Sequence, residues 1–487
     1  MGCDVCRCSG YEAQAPPSRR DFLSRFSSGF AGVALESLLA RDGMLRADGG
    51  AGPAGAPHFA PRAKRAIQIF CQGGVSQVDT FDYKPELEKF HGKSVPGAKP
   101  DVFFNSVGLL HKSHFAFKRR GQSGLWVSDL FPHIASVADE LTVFNSMKAE
   151  VGNHTPATYA GNSGFKVLGF PAMGAWLSYG LGSLTDNLPT FVVLPDSRGM
   201  PTGEHNNWTS AFLPARHQGV VLRASGSAVN DLHPSKPVRD QTRLARNALL
   251  ERMNRRHAAT RDAGADALEA RIRSYQMAAR MQASVPEAAD LGAEPEEIKK
   301  LYGLDDPDCR DFARSALLGR RLLERGVRFV QLWSGGPFGS EVHWDAHGNV
   351  PDNHTREAKR IDRPVAALLT DLRRRGMLDD TLVIFTTEFG RTPFSQTGDG
   401  RIGPGRDHNP DAFTSWLAGA GLKHGIAYGA TDDIGYKAAQ DVVSVYDFHA
   451  TILHLLGLDH EQLTYYHNGV RRRLTDVHGH VVGPVLA

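Results

Sequence analysis

The segment FTTEFGRTP, residues 385–393, brings a carboxylate and a guanidinium together directly after a hydrophobic run. Residues 381–385 predict a buried strand, so Glu388 is expected at the end of that strand, where it is a candidate metal ligand. Arg391 could clamp a tetrahedral oxyanion with two hydrogen bonds, or it could form a salt bridge to Glu388 or to a carboxylate of a nearby loop. The segment therefore indicates chemistry at a strand end.

Other carboxylates and imidazoles also stand beside apolar runs that predict strands. Taken singly, an Asp after a strand is more often a helix cap or a turn residue, and a His often belongs to the core. As a set they supply the oxygen and nitrogen ligands that a divalent metal needs, whether Zn, Mn, Ca or Mg. Burying several carboxylates together without a cation would also be costly. The predicted ligands are Asp79, Asp345, His347, Glu388, Asp407 and His408.

The elements that must position these residues follow an α/β pattern. Apolar runs early in the chain predict strands, and in the last third strand patterns alternate with an amphipathic helix over 355–375. This order predicts a doubly wound, mainly parallel central sheet flanked by helices, in which ligands bind at the carboxyl ends of the strands. Residues from about 241 to 300 are charged and helical in pattern, which indicates a helical insertion outside the sheet.

Composition excludes some functions and leaves others open. The chain has 487 residues, of which 41% are hydrophobic and 22% charged, and its net charge is only +3, so a general nucleic-acid binder is not indicated. Cys71 lies in a strand pattern and Cys309 is isolated, so the two are expected to be buried thiols rather than a disulfide.

The N-terminal region has the pattern of a targeting segment. The segment SRRDFLSRF, residues 18–26, resembles a twin-arginine export signal, and a tract of small residues follows it. The apolar stretch at 30–40 is too short and too interrupted for a stable membrane span; a basic amphipathic helix is the alternative. We therefore expect residues 1–60 to be signal and linker and 61–487 one domain, delivered to the bacterial periplasm or secreted by the twin-arginine export machinery.

The order of these residues resembles the alkaline phosphatase superfamily, which includes phosphatases and sulfatases. GGVSQVDTFD, WDAHG, EFGRTP, GRDHNP and DFHATILHLLGL are similar to segments of an exported, sulfatase-like family known as domain of unknown function 1501. The resemblance implies an alkaline phosphatase-like fold in which Asp345, His347 and His408 bind one metal. Glu388 matches the acidic ligand of a second metal, but Phe389 stands where that site usually has His or Asn. The resemblance thus implies one metal site and an incomplete second one.

The resemblance also bears on the nucleophile, through the segment NHTPATYAGNSG at 153–164. Pro156 fits the sulfatase signature, but His154 replaces the Cys that becomes formylglycine, and Thr158 replaces an Arg. A standard sulfatase is therefore contradicted. Two options remain: Thr155 is the metal-activated nucleophile, or His154 is a metal ligand or general base. The structural alternative is that Thr155 only caps a helix and His154 packs against the sheet edge.

Two functional hypotheses follow from the resemblance. The first is an exported, metal-dependent hydrolase of sulfate or phosphate esters of small molecules or glycans, with His154, Thr155 and Arg391 as catalytic residues. The second is a non-catalytic member of the fold that binds a metal and a glycan or anion.

Overall fold

The computed structural model describes residues 55–97, 100, 102–104, 107–226, 228, 239–258, 265–339, 342–398 and 400–487. The predicted export signal lies outside the described residues. Within the described part of the chain, no helix is long and apolar enough to cross a membrane.

Strands and α-helices follow one another along the described part of the chain. The strands are β1 (Arg65–Cys71), β2 (Phe117–Arg120), β3 (Leu125–Ser128), β4 (Leu141–Lys148), β5 (Phe191–Leu194), β6 (Val220–Val221), β7 (Phe329–Ser334), β8 (Thr381–Thr386), β9 (Gly390–Ser395), β10 (Arg406–Asn409), β11 (Phe413–Gly419), β12 (Ile426–Tyr428), β13 (Ala430–Thr431), β14 (Ala438–Gln440), β15 (Val443–Ser444), β16 (Tyr465–His467) and β17 (Val470–Arg472). The α-helices are α1 (Gln77–Thr80), α2 (Pro85–Lys89), α3 (Pro132–Ser136), α4 (His154–Ser163), α5 (Met173–Leu181), α6 (Asp240–Ala258), α7 (Ala265–Ala289), α8 (Glu296–Tyr302), α9 (Arg310–Glu324), α10 (Val350–Arg374) and α11 (Val445–Leu455).

The central sheet has the strand order β12-β4-β11-β8-β1-β7-β5-β6, and β15 also pairs with β4. β1 runs parallel to β7 and to β8, and β5 runs parallel to β7. The predicted class, a mainly parallel α/β sheet flanked by helices, is confirmed. β11 is antiparallel to β8 and β4, because the β9–β10 hairpin, rather than a crossover helix, connects β8 to β11.

Helices cover both faces of this sheet. Ile67 and Ile69 of β1 belong to one hydrophobic cluster, shared with α9 and α10, whereas Ala66 and Phe70 belong to a second, shared with α5 and α11. Successive strand side chains point to opposite faces, so a strand buried on both faces must be apolar almost throughout. This explains the apolar run that the sequence shows at β1, in which Gln68 is the one polar residue between Ala66 and Cys71.

Two helical segments differ from the sequence-based expectation. α10 begins at Val350, ahead of the predicted residue 355, because the Asn349 side chain accepts a hydrogen bond from the Asp352 backbone N–H and Pro351 lies in the first turn. The predicted helical insertion contains α6, α7 and α8. α7 does not lie wholly outside, since Val285 is buried in the same cluster as α9.

A glycine turn brings the end of β1 against the segment that carries Asp345. Gly73 has φ +120°, and a Cβ there would lie 2.4 Å from the backbone nitrogen of Asp345. Its neighbour Gln72 accepts a hydrogen bond from the Trp344 N–H at 2.9 Å and donates its own N–H to Ser334 of β7 at 2.9 Å. The close approach therefore requires a residue without a side chain.

We predict that Gly73→Ala lowers the free energy of unfolding by more than the roughly 1–3 kcal/mol of a strained φ alone, because it also displaces Asp345. Denaturant unfolding measures this loss. Gly376→Ala is the matched control, since Gly376 has φ +66° with nothing within 4 Å of a built Cβ. Equal losses in the two variants would contradict the close approach.

Candidate metal centre

Four side chains from three separate parts of the fold converge at the carboxyl edge of the sheet. His154 is the first residue of α4, Asp345 and His347 lie between β7 and α10, and His408 lies in β10. One ligand atom of each lies within 4.8 Å of the others. Among the described residues, these four acidic and imidazole side chains are the ones that lie close enough together to hold a metal ion.

Each imidazole of the cluster has its Nδ1 atom committed to an oxygen outside it. Nδ1 of His154 hydrogen-bonds to Oε1 of Glu388 at 2.7 Å, and Nδ1 of His408 donates to the carbonyl of Gly152 at 2.6 Å. Nδ1 of His347 hydrogen-bonds to Oε1 of Gln396. Such bonds fix the ring orientation and leave the Nε2 lone pair for a metal.

The Nε2 atoms meet the carboxylate of Asp345. Nε2 of His154 lies 3.3 Å from Oδ2, and those of His347 and His408 lie 2.9 and 3.5 Å from Oδ1. The Nε2 atoms of His154 and His408 are buried and form no hydrogen bond with any described residue. Buried nitrogens without partners, aimed at one carboxylate, fit a divalent cation, and three imidazoles with one carboxylate suit Zn or Mn better than Ca or Mg.

The charged groups around the cluster favour binding of a cation in addition to the guanidinium of Arg391. Burial lowers the pKa of His408 to about 3, so its ring is neutral and can act as a ligand. For His154, burial also acts to lower the pKa, but the carboxylates of Asp345 and Glu388 raise it above its usual value. The space between these two carboxylates therefore stabilises positive charge.

Arg391 is placed to orient Asp345. Its side chain is fully buried, and Nη2 lies 2.5 Å from Oδ1 of Asp345. Nε donates to the carbonyl of Gly74 at 3.0 Å, Nη1 donates to that of Arg406 at 3.2 Å, and Nη2 also donates to that of Gly73. Burial raises the pKa of Asp345, but Arg391 and the imidazoles together hold it well below its usual range. A guanidinium engaged in this way does not reach an ester, so the geometry does not fit an oxyanion clamp.

Glu388 and Phe389 form the layer behind His154. Oε1 of Glu388 accepts hydrogen bonds from Nδ1 of His154 and from the Gly73 N–H at 2.8 Å. The buried ring of Phe389 lies 4.8 Å from the ring of His154 and 4.6 Å from that of His408. An apolar ring, which cannot bind a metal, thus lies beside the two imidazoles.

The sequence comparison identifies the family. A model of the family described as "Protein of unknown function (DUF1501)" matches residues 63–486. The chain belongs to the DUF1501 family. The resemblance expected from the sequence motifs is thereby confirmed at the level of the family. Among curated proteins, none matches this chain.

Several solved structures resemble this DUF1501 protein distantly. The lipoteichoic acid synthase LtaP from Listeria monocytogenes is 10% identical over 82% of this chain and 74% of that chain, with a TM-score of 0.37. The PsFucS1 sulfatase from Pseudoalteromonas sp. is 13% identical over 94% and 78%, with a TM-score of 0.34. Alkaline phosphatase from the Antarctic bacterium TAB5 is 11% identical over 81% and 98%, with a TM-score of 0.34.

Three of the six predicted ligands of the DUF1501 protein lie outside the four-residue cluster: Glu388, which holds Nδ1 of His154, and the two carboxylates Asp79 and Asp407. Asp79, in α1, forms a fully buried ion pair with Arg406 at 2.8 Å, and its Oδ1 accepts the His114 N–H at 2.9 Å. The carboxylate of Asp407 accepts the N–H groups of His408 at 2.7 Å and Phe104 at 3.0 Å. Both carboxylates are satisfied within the protein and stabilise the surroundings of the cluster.

Thr155 lies in the first turn of α4, next to His154. The helix begins at His154 with Asn153 in the capping position, so the expectation that Thr155 caps this helix is wrong. Its hydroxyl hydrogen-bonds to the hydroxyl of Thr202 at 2.9 Å. Thr202 and Gln396 contact residues of the candidate site, Thr155 and His347, and the sequence analysis missed both because no spacing or motif marks either of them.

We predict that Glu388→Ala weakens divalent-metal binding about 10- to 100-fold, because the Nδ1 atom of His154 loses its acceptor. Competition titration with a chelator, followed by metal analysis, measures the change. Asp79→Asn is the control, since it removes a buried carboxylate outside the cluster and should leave metal affinity within a few-fold of wild type. If Asp79→Asn lost metal affinity while Glu388→Ala kept it, the assignment of Glu388 as the residue that supports the metal site through His154 would be contradicted.

Asp79→Asn should instead lower the free energy of unfolding by about 3–5 kcal/mol, because it leaves the buried Arg406 without its anion. Burial raises the pKa of Asp79, but Arg406 and further hydrogen bonds hold it well below its usual value. A depressed folded-state pKa gives stability that is present above the unfolded value, about 3.9, and is lost as pH falls towards the folded one. The difference between variant and wild type should therefore persist at pH 5–7 and shrink below about pH 4 in urea unfolding; a constant difference would contradict the pair.

Proposed function

We propose that this DUF1501 protein is a metal-dependent hydrolase of sulfate or phosphate esters. The observation that carries the proposal is the convergence of three imidazole Nε2 atoms and one carboxylate beside the start of α4. The reaction class comes from the resemblance of the sequence motifs to the alkaline phosphatase superfamily. Export by the twin-arginine machinery, suggested by residues 18–26, would bring this activity to the periplasm or outside the cell.

The side chains that would hold the ion are His154, Asp345, His347 and His408. A divalent cation, when bound, supplies Lewis acidity towards an ester oxygen and lowers the pKa of coordinated water. The protein keeps the four ligands in place through Arg391 and the Nδ1 acceptors. Phe389 supports binding of a single ion.

The N-terminus of α4 is suited to hold the anionic group of the ester. No side chain caps this helix, and its first turn contains no acidic residue. The free N–H groups of a helix start, together with the helix dipole, attract sulfate and phosphate oxygens. In this proposal the ester anion is bound at the start of α4, beside His154, and the backbone takes the role that Arg391 cannot fill.

The hydroxyl of Thr155 is the proposed nucleophile. It follows His154 directly in the first turn of α4, and its hydrogen bond to Thr202 orients it. Hydroxyl side chains of Ser and Thr serve as nucleophiles once a base or a metal activates them.

A specific observation favours the second function, a non-catalytic protein that binds a metal and an anion. Four protein ligands fill a tetrahedral coordination sphere, as in structural metal sites, whereas catalytic zinc sites keep one position open. Hydrolysis by this centre therefore requires a coordination number above four or displacement of a ligand by the substrate.

Turnover of aryl sulfate and aryl phosphate esters by the purified, metal-loaded protein tests the proposal. We expect hydrolysis that chelation removes and that Asp345→Ala lowers by at least about 100-fold, because that variant loses a ligand and leaves Arg391 unpaired. Tyr466→Ala, at a side chain 68% exposed in β16, is the control and should behave like wild type. Stoichiometric metal without turnover of any ester would favour the binding protein.

Replacement of Thr155 separates the two possible nucleophiles. If its hydroxyl attacks the ester, Thr155→Ala should lower kcat by at least about 100-fold, while Thr155→Ser should keep measurable activity. Steady-state kinetics on the best aryl ester measure both. Full activity of Thr155→Ala would assign the attack to water.

A further inference from the structure

Two large aromatic side chains are exposed directly beside the metal centre. Phe103 and Phe104 are 47% and 51% exposed. The ring of Phe104 lies 4.9 Å from the ring of His347, and the ring of Phe103 lies 5.0 Å from that of His408. His347 is the most exposed of the four ligand side chains, at 28%. The aromatic pair thus borders the open side of the centre, from which a substrate would approach.

A buried carboxylate fixes this pair to the strand that carries His408. Oδ2 of Asp407 accepts the Phe104 N–H at 3.0 Å, while Oδ1 accepts the His408 N–H at 2.7 Å. Hydrogen bonds to an ionised carboxylate are stronger than those to neutral acceptors. The bond fixes the backbone at Phe104 relative to His408, and a backbone held in place before binding reduces the entropy cost of binding.

A cavity of about 340 Å³ is lined by Phe103 and His408 and continues away from the metal centre past His408. Its volume falls within the range of about 300–1,000 Å³ that is usual for small-molecule sites. Phe103, Tyr436, Asn409 and Asp411 are among its lining residues, and the Asn409 amide donates to the Tyr436 carbonyl at 2.9 Å and accepts the Asp411 N–H at 3.2 Å. The carboxylate of Asp411 is paired with Lys148 at 3.2 Å and is 36% exposed. The cavity therefore combines flat apolar walls with hydrogen-bonding groups.

We propose that Phe103 and Phe104 form the subsite for the alcohol part of the ester, and that this alcohol is a sugar ring. A pyranose has one face of C–H groups, which packs on an aromatic ring, and a rim of hydroxyls, which the polar groups of the cavity bind. The proposal rests on the proposed function for the ester, and adds the class of alcohol. The ester anion then lies at the start of α4, beside the metal centre, while the sugar extends past His347 and His408 over the two rings.

Isothermal titration of the full-length, metal-loaded protein tests the subsite without requiring turnover. The probes are the 6-sulfates and 6-phosphates of glucose, galactose and mannose, compared with ethyl sulfate and ethyl phosphate. We expect at least one hexose ester to bind about tenfold or more tightly than the corresponding ethyl ester, which is the effect of two aromatic contacts. Combined Phe103→Ala and Phe104→Ala should remove this preference while the metal content stays unchanged.

Two further variants keep the test decisive. The combined Phe103→Leu and Phe104→Leu variant keeps apolar volume without a flat ring, so its preference for hexose esters should fall. Phe104→Trp keeps an aromatic ring, so its preference should persist. Tyr466→Ala removes an exposed aromatic side chain outside the site and is the control, which should retain the preference for hexose esters. The proposal is overturned if wild type binds hexose and ethyl esters equally, or binds neither, or if the leucine variant keeps the full preference. A preference for hexose esters without hydrolysis of any ester would contradict the proposed hydrolase function but support the sugar subsite.

Discussion

The carboxylate of Asp345 is the charge around which this end of the protein is arranged. Arg391 approaches it at 2.5 Å, and three imidazole Nε2 atoms lie between 2.9 and 3.5 Å from its oxygens. A half-buried anion of this kind is stable only when cations and hydrogen-bond donors compensate for its lost hydration. The Nδ1 atoms of the three imidazoles are bonded to outer oxygens, so their Nε2 lone pairs face the carboxylate, and a metal ion between them would supply positive charge in addition to that of Arg391.

The rest of the fold makes this convergence possible. The ligands come from the start of α4, from the segment after β7 and from β10, and the glycine turn after β1 brings these parts together. Each imidazole is then held from behind by a protein oxygen, from Glu388, Gln396 or Gly152. This outer layer decides ring orientation, and ring orientation decides whether the lone pairs meet.

The sequence predicts the sheet and much of the cluster because local signals define both. Apolar runs define the strands, the residue types beside them mark a set of candidate ligands, and the family resemblance selects Asp345, His347 and His408 from that set as one metal site. The partners of the other carboxylates could not be predicted in this way. Asp79 pairs with Arg406, which is 327 residues away, and Asp407 accepts a backbone N–H from Phe104, which no side-chain pattern marks. Arg391 allowed two interpretations in the sequence, since a guanidinium binds a substrate anion and a protein carboxylate by the same hydrogen bonds.

Glu388 shows that the sequence also could not decide the role of a residue within the site itself. A carboxylate at a strand end can bind a metal or can hold a histidine that binds it, and the two cases differ only by the few ångströms that tertiary packing decides. Phe389, in contrast, is a residue whose effect on the site could be inferred from the sequence. The resemblance, through the identity of this residue, implied an incomplete second site, and its ring lies beside the two imidazoles of His154 and His408.

Anomalous X-ray diffraction from crystals of the metal-loaded protein, recorded at the absorption edge of the metal, tests the central claim most directly. The account predicts one strong peak per chain, about 2.0–2.2 Å from Nε2 of His154, His347 and His408 and from an oxygen of Asp345. A peak at another set of residues, or none at this cluster in protein that contains stoichiometric metal, would contradict it.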